Sequence, residues 1–207
     1  MLPTSRSNGK GERSRRELTL IAIDCFSRFG FQGTSIDRIA KAAGVTKGAI
    51  YYHFRDKGDL LAAAVADRIQ EFELRIQRTC EGIDPALALR RIAEVCIEHA
   101  RSLDHPRFVI TLMIESIDTN DNISTQLREM MRRFRAFLRN LVRQGQEHGV
   151  FRRTVDAEAV AAAYTSSVLG AEIQFYQDQD RFRFTEAIGL FLDQLIGSIA
   201  AEEGQPT

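Results

Sequence analysis

The sequence predicts an all-α protein with about nine helices. Apolar residues recur at three- and four-residue intervals along most of the 207-residue chain, and we find no run that alternates between apolar and polar residues as a half-buried strand does. The breaks between the periodic segments contain Ser, Thr, Asp or Pro where a helix would begin, or Gly where one would end. Both observations favour helices joined by short turns.

The composition narrows the class of protein. Hydrophobic residues make up 44% of the chain and charged residues 27%, which suits one or two domains with a real core. There is no apolar run of about eighteen residues and no N-terminal apolar segment, so we expect neither a membrane span nor a signal peptide. The three cysteines are widely spaced and do not suggest a disulfide framework, and we expect a cytoplasmic protein.

Charge is distributed unevenly, although the formal net charge is zero. Residues 1–60 contain 11 Lys and Arg against 6 Asp and Glu, a balance of +5, and residues 61–207 contain 17 against 22, a balance of −5. A basic N-terminal third on an acidic remainder favours a polyanion as the partner of that third. On charge alone, chance variation is the alternative.

The first helix is predicted to begin near Ser14. Residues 1–13 are polar and rich in glycine, and we expect them to form a disordered basic tail. From Ser14 the apolar residues follow helical spacing over about four turns, and Gly30 would end the helix. The predicted buried face contains Leu18, Ile21, Ala22, Cys25, Phe26 and Phe29.

Two short helices follow, joined by a turn that contains glycine. Thr34 and Asp37 have the spacing of a capping box at the start of the first helix, and Gly44 suits its C-terminal end. Thr46 is the predicted N-cap of the second helix. Two helices joined by so short a turn form a helix-turn-helix pattern.

The second of these helices, within GVTKGAIYYHF at residues 44–54, has features that packing alone does not require. Ile50 and Phe54 are the predicted buried residues, which leaves two tyrosines and a histidine on or near the open face. Gly48 costs about 1 kcal/mol of helix propensity relative to alanine, and it lets a large neighbour approach the backbone. The pattern predicts a recognition helix that enters the major groove of DNA. Packing of the tyrosines on the following helix is the alternative.

Two lysines occupy the first position of a helix, where the helix dipole disfavours a cation. They are Lys47 and Lys57. A phosphate group at each helix N-terminus would offset the unfavourable interaction of the lysine with the dipole. It would accept hydrogen bonds from the backbone N–H groups and form an ion pair with the lysine. We therefore predict phosphate contacts at both positions.

The remaining segments are also predicted to be helical. Asp56 caps a long fourth helix from about 57 to 80, which is long enough to link two domains. The domain boundary is placed after residue 60, with a DNA-binding domain at 14–60 and an effector-binding and dimerisation domain at 61–207. Further helices are predicted from Pro85 to about 103, from Pro106 to about 118, from a cap at Ser124 to Gly149, from a cap at Asp156 to about 177, and from a cap at Thr185 to about 202.

Catalytic signatures are missing from the sequence. We find no arrangement typical of Ser/His/Asp or Cys/His catalysis, no P-loop and no HExxH motif. Cys96 and His99 lie on one face of a helix and His105 follows, but this spacing is a poor metal signature. We expect no enzyme activity, no cofactor and no metal. The alternative is a helical enzyme or small-molecule carrier with an architectural helix-turn-helix, which would not retard promoter DNA in a salt-dependent manner.

Residues 33–65, GTSIDRIAKAAGVTKGAIYYHFRDKGDLLAAAV, resemble the DNA-binding segment of the TetR family of bacterial repressors. The matching residues, in the order and spacing of the family, are Thr34, Ile39, Ala40, Gly44, Val45, Tyr51, His53, Phe54 and Lys57. The resemblance implies that Thr34, Ser35 and Lys57 contact phosphates and that Lys47, Gly48 and Ala49 face base edges. Thr46, Tyr51, Tyr52 and His53 complete the expected DNA-binding set. The family architecture implies a palindromic DNA operator, bound as a homodimer.

The resemblance also implies roles for the C-terminal domain. Family members dimerise through their last two long helices, which correspond here to about 156–178 and 185–202. The expected interface residues are Ala163, Ser167, Gly170, Phe191 and Leu195. The expected wall of an effector cavity comprises Phe108, Met113, Met130, Phe134, Phe137, Tyr164 and Phe175. We therefore expect a ligand-responsive repressor that a small, apolar effector releases from DNA.

Overall fold

The computed structural model describes residues 6–102, 107–115 and 121–201, with side chains from Ser14 onward. Over these residues it contains nine helices and no strand, which confirms the predicted fold class. The helices are α1 (Arg6–Gly33), α2 (Ile36–Ala43), α3 (Lys47–His53), α4 (Lys57–Cys80), α5 (Pro85–Arg101), α6 (Arg107–Glu115), α7 (Asn122–Glu147), α8 (Ala157–Gln177) and α9 (Phe184–Ile199). None of the helices in the described part of the chain is long and apolar enough to cross a membrane.

The chain forms two compact units. Unit 1 consists of Met1–Gln70 and Arg107–Gln126, and unit 2 consists of Glu71–Pro106 and Leu127–Thr207. The division therefore falls inside α4 and not after residue 60, where the sequence placed it. The physical reason is that the first half of α4 supplies buried apolar residues to unit 1, and α6 adds others from far along the sequence.

Helix α1 begins earlier than predicted. It starts at Arg6, so residues 6–13 are helical and do not form the expected disordered tail. Residues 1–5 lie outside the described part of the chain. Once a helix is nucleated by packing, each added residue contributes a backbone hydrogen bond, and this extends it into the polar segment. The helix kinks at Gly30, which has a φ of 68°. The predicted inward placement of Phe29 is wrong, because its side chain is 49% exposed, with the Arg38 guanidinium 3.9 Å from its ring centroid.

The caps of the helix-turn-helix segment agree with the sequence except at the start of α2. Ser35, and not Thr34, is the N-cap of α2, and its hydroxyl accepts a hydrogen bond from the Arg38 amide at 3.2 Å. Gly44 ends α2 in the left-handed conformation, with a φ of 65°. Thr46 is the N-cap of α3, as predicted, and accepts from the Ala49 amide at 3.3 Å.

Two caps in the second half of the chain were also misplaced by the sequence analysis. Helix α7 is capped by the carboxylate of Asp121, which accepts from the Ser124 amide at 2.8 Å, so Ser124 lies inside the helix. Helix α9 begins at Phe184, one residue before the predicted cap at Thr185. Phe184 is buried and stacks on Phe175, and this apolar contact sets the start of the helix without a side-chain cap.

The core of unit 2 is built from α5, α7, α8 and α9. Helix α8 packs on α9, and α5 packs on both. After α7, the left-handed Gly149 turns the chain, and Phe151 then buries its ring against Gly145. Phe151 also forms an isolated antiparallel bridge with Ala200, so the end of α9 is fastened to the connection between α7 and α8.

Candidate nucleic-acid interface and ligand cavity

Helix α3 presents a continuous exposed face. Its two buried contacts are Ile50 and, just past its end, Phe54, as the sequence predicted. Tyr51 is 52% exposed and Tyr52 is 84% exposed. The rest of the predicted face is exposed at Thr46, Lys47 and Gly48 and half-buried at Ala49 and His53. Two phenol hydroxyls, an imidazole and an ammonium group therefore lie along one seven-residue helix, which suits hydrogen bonding to phosphates and base edges.

Gly48 leaves the backbone of this face open. A Cβ atom built on Gly48 would lie 3.7 Å from the Thr46 hydroxyl, which is an ordinary contact, so nothing inside unit 1 requires a glycine here. An alanine at this position would favour the helix by about 1 kcal/mol. The glycine is therefore consistent with a close approach to the backbone from outside the protein.

Lys47 forms an ion pair with Asp37, which the sequence predicted only as part of a capping box. Its ammonium group lies 2.7 Å from a carboxylate oxygen of Asp37 on α2, and both side chains are largely exposed. The hydrogen bond to Asp37 raises the pKa of the Lys47 ammonium. An exposed pair of this kind contributes little to stability, so the lysine can exchange this carboxylate for a phosphate or a base edge.

The Thr34 side chain does not face solvent. It is 1% exposed, and its one hydroxyl proton is shared between the carbonyl oxygens of Gly30 at 2.7 Å and Cys25 at 3.0 Å. The expected phosphate contact through this hydroxyl therefore does not fit the structure, because the buried group already donates its proton to carbonyl oxygens of α1. Ser35, the adjacent residue, is exposed.

Lys57 also points into unit 1. Its ammonium group donates to the carbonyl oxygens of Phe31 at 2.7 Å and Thr34 at 2.9 Å, and it lies 4.2 Å from the centroid of the Phe31 ring. Asp56 caps the helix that begins at Lys57, since its carboxylate accepts from the Asp59 amide at 2.8 Å. The lysine predicted to bind phosphate thus binds the backbone of the α1–α2 connection.

A small cavity lies between the C-terminal half of α4 and the middle of α7, within unit 2. Its volume is about 100 Å³, and three of its walls were among the predicted effector residues, namely Met130, Phe134 and Phe137. The other lining residues were not among the predicted effector residues, and they are Phe72, Glu73, Ile76, Gln77 and Arg133. Glu73 accepts a hydrogen bond from the Arg133 guanidinium at 2.8 Å, so the cavity combines aromatic walls with one ion pair.

The other predicted cavity residues lie elsewhere. Tyr164 is completely buried, and its hydroxyl donates to the Leu89 carbonyl at 2.7 Å. Phe175 stacks on Phe184 with ring centroids 5.0 Å apart. Both therefore belong to the core of unit 2, because their neighbours leave no open space beside them. Phe108 and Met113 belong to α6 in unit 1, where Phe108 is buried.

The predicted dimer residues are distributed over α8 and α9. Ala163 is exposed, and Ser167, Gly170, Phe191 and Leu195 are half-buried. A Cβ atom built on Gly170 would meet no heavy atom within 4 Å. Leu190, which the sequence analysis did not name, is 65% exposed on α9.

Burial changes the pKa of two side chains of unit 2, the buried Cys96 and the half-buried Glu172. Burial raises the pKa of the Cys96 thiol well above its ordinary range, and burial raises the pKa of the Glu172 carboxyl to about 8. Within residues 6–102, 107–115 and 121–201, no group of three or more His, Cys, Asp and Glu side chains could hold a metal ion. His105, weighed with Cys96 and His99 as a weak metal signature, lies outside the described residues.

Two family profiles match the chain. One, described as bacterial regulatory proteins of the tetR family, matches residues 21–64. The other, described as a tetracyclin repressor-like C-terminal domain, matches residues 85–171. The first match contains α2 and α3, and the second contains most of the α5, α7 and α8 core.

Individual proteins that resemble this chain are also transcriptional regulators. The chain is 33% identical over 116 residues to the HTH-type transcriptional regulator AcrR of Shigella flexneri, a match that covers 55% of this chain and 54% of AcrR, so it spans about half the length of that relative. A TetR transcriptional regulator from Chloroflexus aurantiacus J-10-FL has the same fold, with a TM-score of 0.85 and 24% identity over 93% of this chain and 99% of the other.

A second similar structure contains a bound ligand. The transcriptional regulator FadR from Bacillus subtilis, in complex with stearoyl-CoA, matches with a TM-score of 0.75 and 17% identity over 89% of this chain and 98% of FadR. Regulators of this kind bind DNA. Through its two matched domains and its fold, the chain belongs to the TetR family of DNA-binding transcriptional regulators.

Proposed function

We propose that the protein is a repressor that binds a palindromic operator as a homodimer and leaves it when a small effector binds. The observation that carries the proposal is the exposed face of α3, where Tyr51, Tyr52 and Lys47 stand beside a glycine that no internal contact requires. A seven-residue helix with this face can reach into the major groove of DNA. The proposed DNA-binding residues are Ser35, Thr46, Lys47, Gly48, Ala49, Tyr51, Tyr52 and His53.

Selection of bound duplexes from a random-sequence library tests the DNA part of the proposal. We expect an enriched inverted repeat whose half-sites are separated by about one helical turn or slightly more, because a two-fold dimer presents two copies of α3. Binding should weaken steeply as salt concentration rises. Enrichment of a single half-site, or of nothing, would contradict the proposal.

The second part of the proposal is a dimer formed by α8 and α9. It is supported by the exposed Ala163 and Leu190 and by the open space at Gly170, which would let a helix of a second copy approach closely. Ala163→Glu places a charge on this face and should give monomers in analytical ultracentrifugation. Leu87→Glu, on an exposed position of α5, is the matched control and should remain dimeric. If the Ala163→Glu variant remains dimeric, the dimer interface lies on another surface of the protein.

The third part concerns the effector. FadR of Bacillus subtilis binds stearoyl-CoA, and in this chain we propose the cavity between α4 and α7 as the effector site. Its volume of about 100 Å³ is small beside ordinary ligand pockets of about 300–1,000 Å³, so α4 and α7 must separate to admit an effector of ordinary size. The effector would contact Phe134 and Phe137, and the walls suit a small, apolar compound.

The continuity of α4 supports coupling between effector and DNA. The helix carries Phe72 and Ile76 of the cavity and also Leu60 and Leu61 of the unit 1 core. An effector that prefers the DNA-incompetent state by about 2.7 kcal/mol would lower operator affinity about a hundredfold. Because coupling is reciprocal, operator DNA must weaken effector binding by the same factor. Titration of a compound found by thermal-shift screening, with and without operator, checks this, and equal affinities would show that the compound is not an inducer.

A further inference from the structure

We propose that Asp37 is a specificity-determining residue, whose carboxylate directs Lys47 away from backbone phosphates and toward the uncharged acceptors of a base edge. The inference rests on the proposed binding of DNA by the exposed face of α3, and it adds a residue of α2 to that face. We call Asp37 and Lys47 the inter-helix pair.

The inter-helix pair joins the first turns of α2 and α3. Asp37 is the second residue of α2, and Lys47 is the first residue of α3. The Lys47 ammonium group lies 2.7 Å from a carboxylate oxygen of Asp37, and both side chains are more than half exposed. A recognition helix contacts base edges through its N-terminal residues. The pair therefore lies at the end of α3 that would meet the bases.

Asp37 supplies a negative charge that we expected from DNA. A lysine at the first position of a helix is disfavoured by the helix dipole, and the sequence predicted a phosphate there to offset this. In the free protein the Asp37 carboxylate already binds the Lys47 ammonium group. A phosphate that approaches Lys47 must therefore displace this carboxylate or be repelled by it.

The surroundings of Asp37 are otherwise basic. Between Gly30 and Arg55 it is the one acidic residue of the sequence, against four Lys and Arg. Helix α2 does not need it as a cap, because the Ser35 hydroxyl accepts from the Arg38 amide at 3.2 Å. An acidic group on a surface that meets a polyanion weakens the attraction to phosphates. Asp37 therefore opposes the part of DNA binding that does not depend on sequence.

A base edge does not compete with the Asp37 carboxylate as a phosphate does. The Lys47 ammonium group has three N–H donors, and the contact with Asp37 leaves others for DNA. Guanine presents two acceptors in the major groove, N7 and O6, and neither carries a full negative charge. Lys47 can therefore bind guanine and keep Asp37, whereas a phosphate beside the same carboxylate meets like-charge repulsion. The inter-helix pair thus favours DNA that places a guanine at Lys47.

The experiment is a double-mutant cycle of Asp37→Asn and Lys47→Gln in the full-length protein. Each variant is titrated, over a range of salt concentrations, with the operator duplex selected by the wild type and with a duplex of scrambled sequence. For Asp37→Asn we expect the affinity for scrambled DNA to rise about three- to tenfold and the salt slope to steepen by about 0.9 per protomer, because Lys47 gains a phosphate. Operator affinity should stay within about twofold, since Lys47 keeps its guanine with or without the carboxylate.

Two comparisons isolate the role of the inter-helix pair. In the Lys47→Gln background, Asp37→Asn should change the affinity for scrambled DNA by less than about twofold, because no lysine remains to be released. Asp24→Asn is the matched control, because Asp24 forms an exposed ion pair with Arg28 on α1 at 2.8 Å. It removes one negative charge from unit 1 and should keep the ratio of operator to scrambled affinity within about twofold of the wild type. If Asp37→Asn does not fold, Asp37→Ser carries the same cycle.

Two results would overturn the inference. One is an equal gain in affinity for scrambled DNA with Lys47 and with Lys47→Gln, which would show that Asp37 repels DNA directly. The other is an unchanged ratio of operator to scrambled affinity in Asp37→Asn, as expected of a residue that only supports the start of α2 through the helix dipole. Either result, with a wild type that binds its operator, leaves the proposed function intact. If the wild type selects no duplex, the proposed function fails, and the specificity role of Asp37 fails with it.

Discussion

Tyrosine occurs both on the exposed face of α3 in unit 1 and in the buried layer between α5 and α8 in unit 2. Tyr52 presents its ring and hydroxyl to solvent, whereas Tyr164 is enclosed and gives its hydroxyl to the Leu89 carbonyl. Threonine shows the same contrast within unit 1, because Thr46 is exposed and Thr34 is buried with two carbonyl partners. In both pairs the bonding needs of the neighbouring backbone decide whether a polar side chain is available for a ligand. Residue type alone does not separate a site from its scaffold.

The two regions also treat charge differently. The Lys47–Asp37 pair of unit 1 lies in solvent, where either partner can be exchanged at little cost. Glu172 of unit 2 is half-buried on α8, and burial raises its pKa to about 8. Mutations that remove a buried polar group should therefore change stability, and mutations on the α3 face should change DNA binding without changing stability.

The largest expected effect is the pH dependence carried by Glu172. Its pKa of about 8 lies above the ordinary value of 4.5, so between these values the folded protein keeps the proton and the unfolded chain releases it. Stability should therefore decrease as the pH rises from 4.5 to 8, by at most about 1.4 kcal/mol per pH unit. Glu172→Gln removes this slope and should be more stable than the wild type at pH 8, as measured by urea denaturation across this range.

A control on the same helix isolates the effect of burial. Glu158 is exposed and paired with Arg139 at 3.1 Å, so Glu158→Gln should leave the slope of stability against pH almost as in the wild type. Parallel profiles for Glu172→Gln and the wild type would show that the carboxyl of Glu172 titrates normally.

The second effect tests the buried threonine of unit 1. Thr34→Val keeps the shape of the side chain and removes the hydroxyl proton that the carbonyls of Gly30 and Cys25 share. We expect a loss of about 1–3 kcal/mol in the free energy of unfolding, and an unchanged salt slope for DNA binding. Denaturation and binding titrations measure the two quantities. A reduced salt slope with unchanged stability would restore Thr34 as a phosphate contact.

A smaller effect is expected for the buried tyrosine of unit 2. Tyr164→Phe removes the hydrogen bond to Leu89 and keeps the ring, so the stability should decrease by about 0.5–1.5 kcal/mol. Effector binding should be retained, because Tyr164 does not line the cavity. Phe134→Ala, in the cavity wall, is the comparison and should alter effector affinity. Complete loss of effector binding in Tyr164→Phe would extend the ligand site into the α5–α8 layer.

The smallest effect on stability belongs to the exposed tyrosine. Tyr52→Ala should change the free energy of unfolding by no more than about 0.5 kcal/mol, because the side chain is mostly in solvent. Operator affinity should nevertheless fall, since the hydroxyl and ring would no longer reach the DNA. Thermal denaturation and fluorescence anisotropy with labelled operator separate the two. Unimpaired operator binding would remove Tyr52 from the proposed interface.

Helical periodicity and cap residues predicted the fold well, because both are local properties of the chain. Asp56, Gly44 and Asp156 end or begin helices where the sequence indicated. The failures at Ser124 and Thr185 have a common cause, since tertiary contacts or a nearby carboxylate offered an equally good start one to three residues earlier. The position of the unit boundary depends on which core the α4 side chains enter, and no local signal carries that information.

The sequence predicted the exposed residues of the candidate site correctly and misplaced the residues that turn inward. The open face of α3 follows from its spacing, because two buried positions determine the rest of so short a helix. The inward turn of Thr34 and Lys57 depends on carbonyl oxygens near the kink at Gly30, whose positions a sequence pattern does not show. In unit 2, the aromatic residues of the cavity and those of the core have identical periodicity, so only the packing distinguishes Phe134 from Phe175.

The contact between Gly145 and Phe151 has a consequence for how this sequence can evolve. A Cβ atom on Gly145 would lie 2.1 Å from a ring carbon of Phe151, so even alanine requires the ring to leave its position. The ring belongs to the residue whose backbone lies in the bridge to Ala200, so a displaced ring would strain the backbone that holds the end of α9. Positions 145 and 151 should therefore vary together among descendants of this chain, a larger residue at the first being tolerated only with a smaller one at the second.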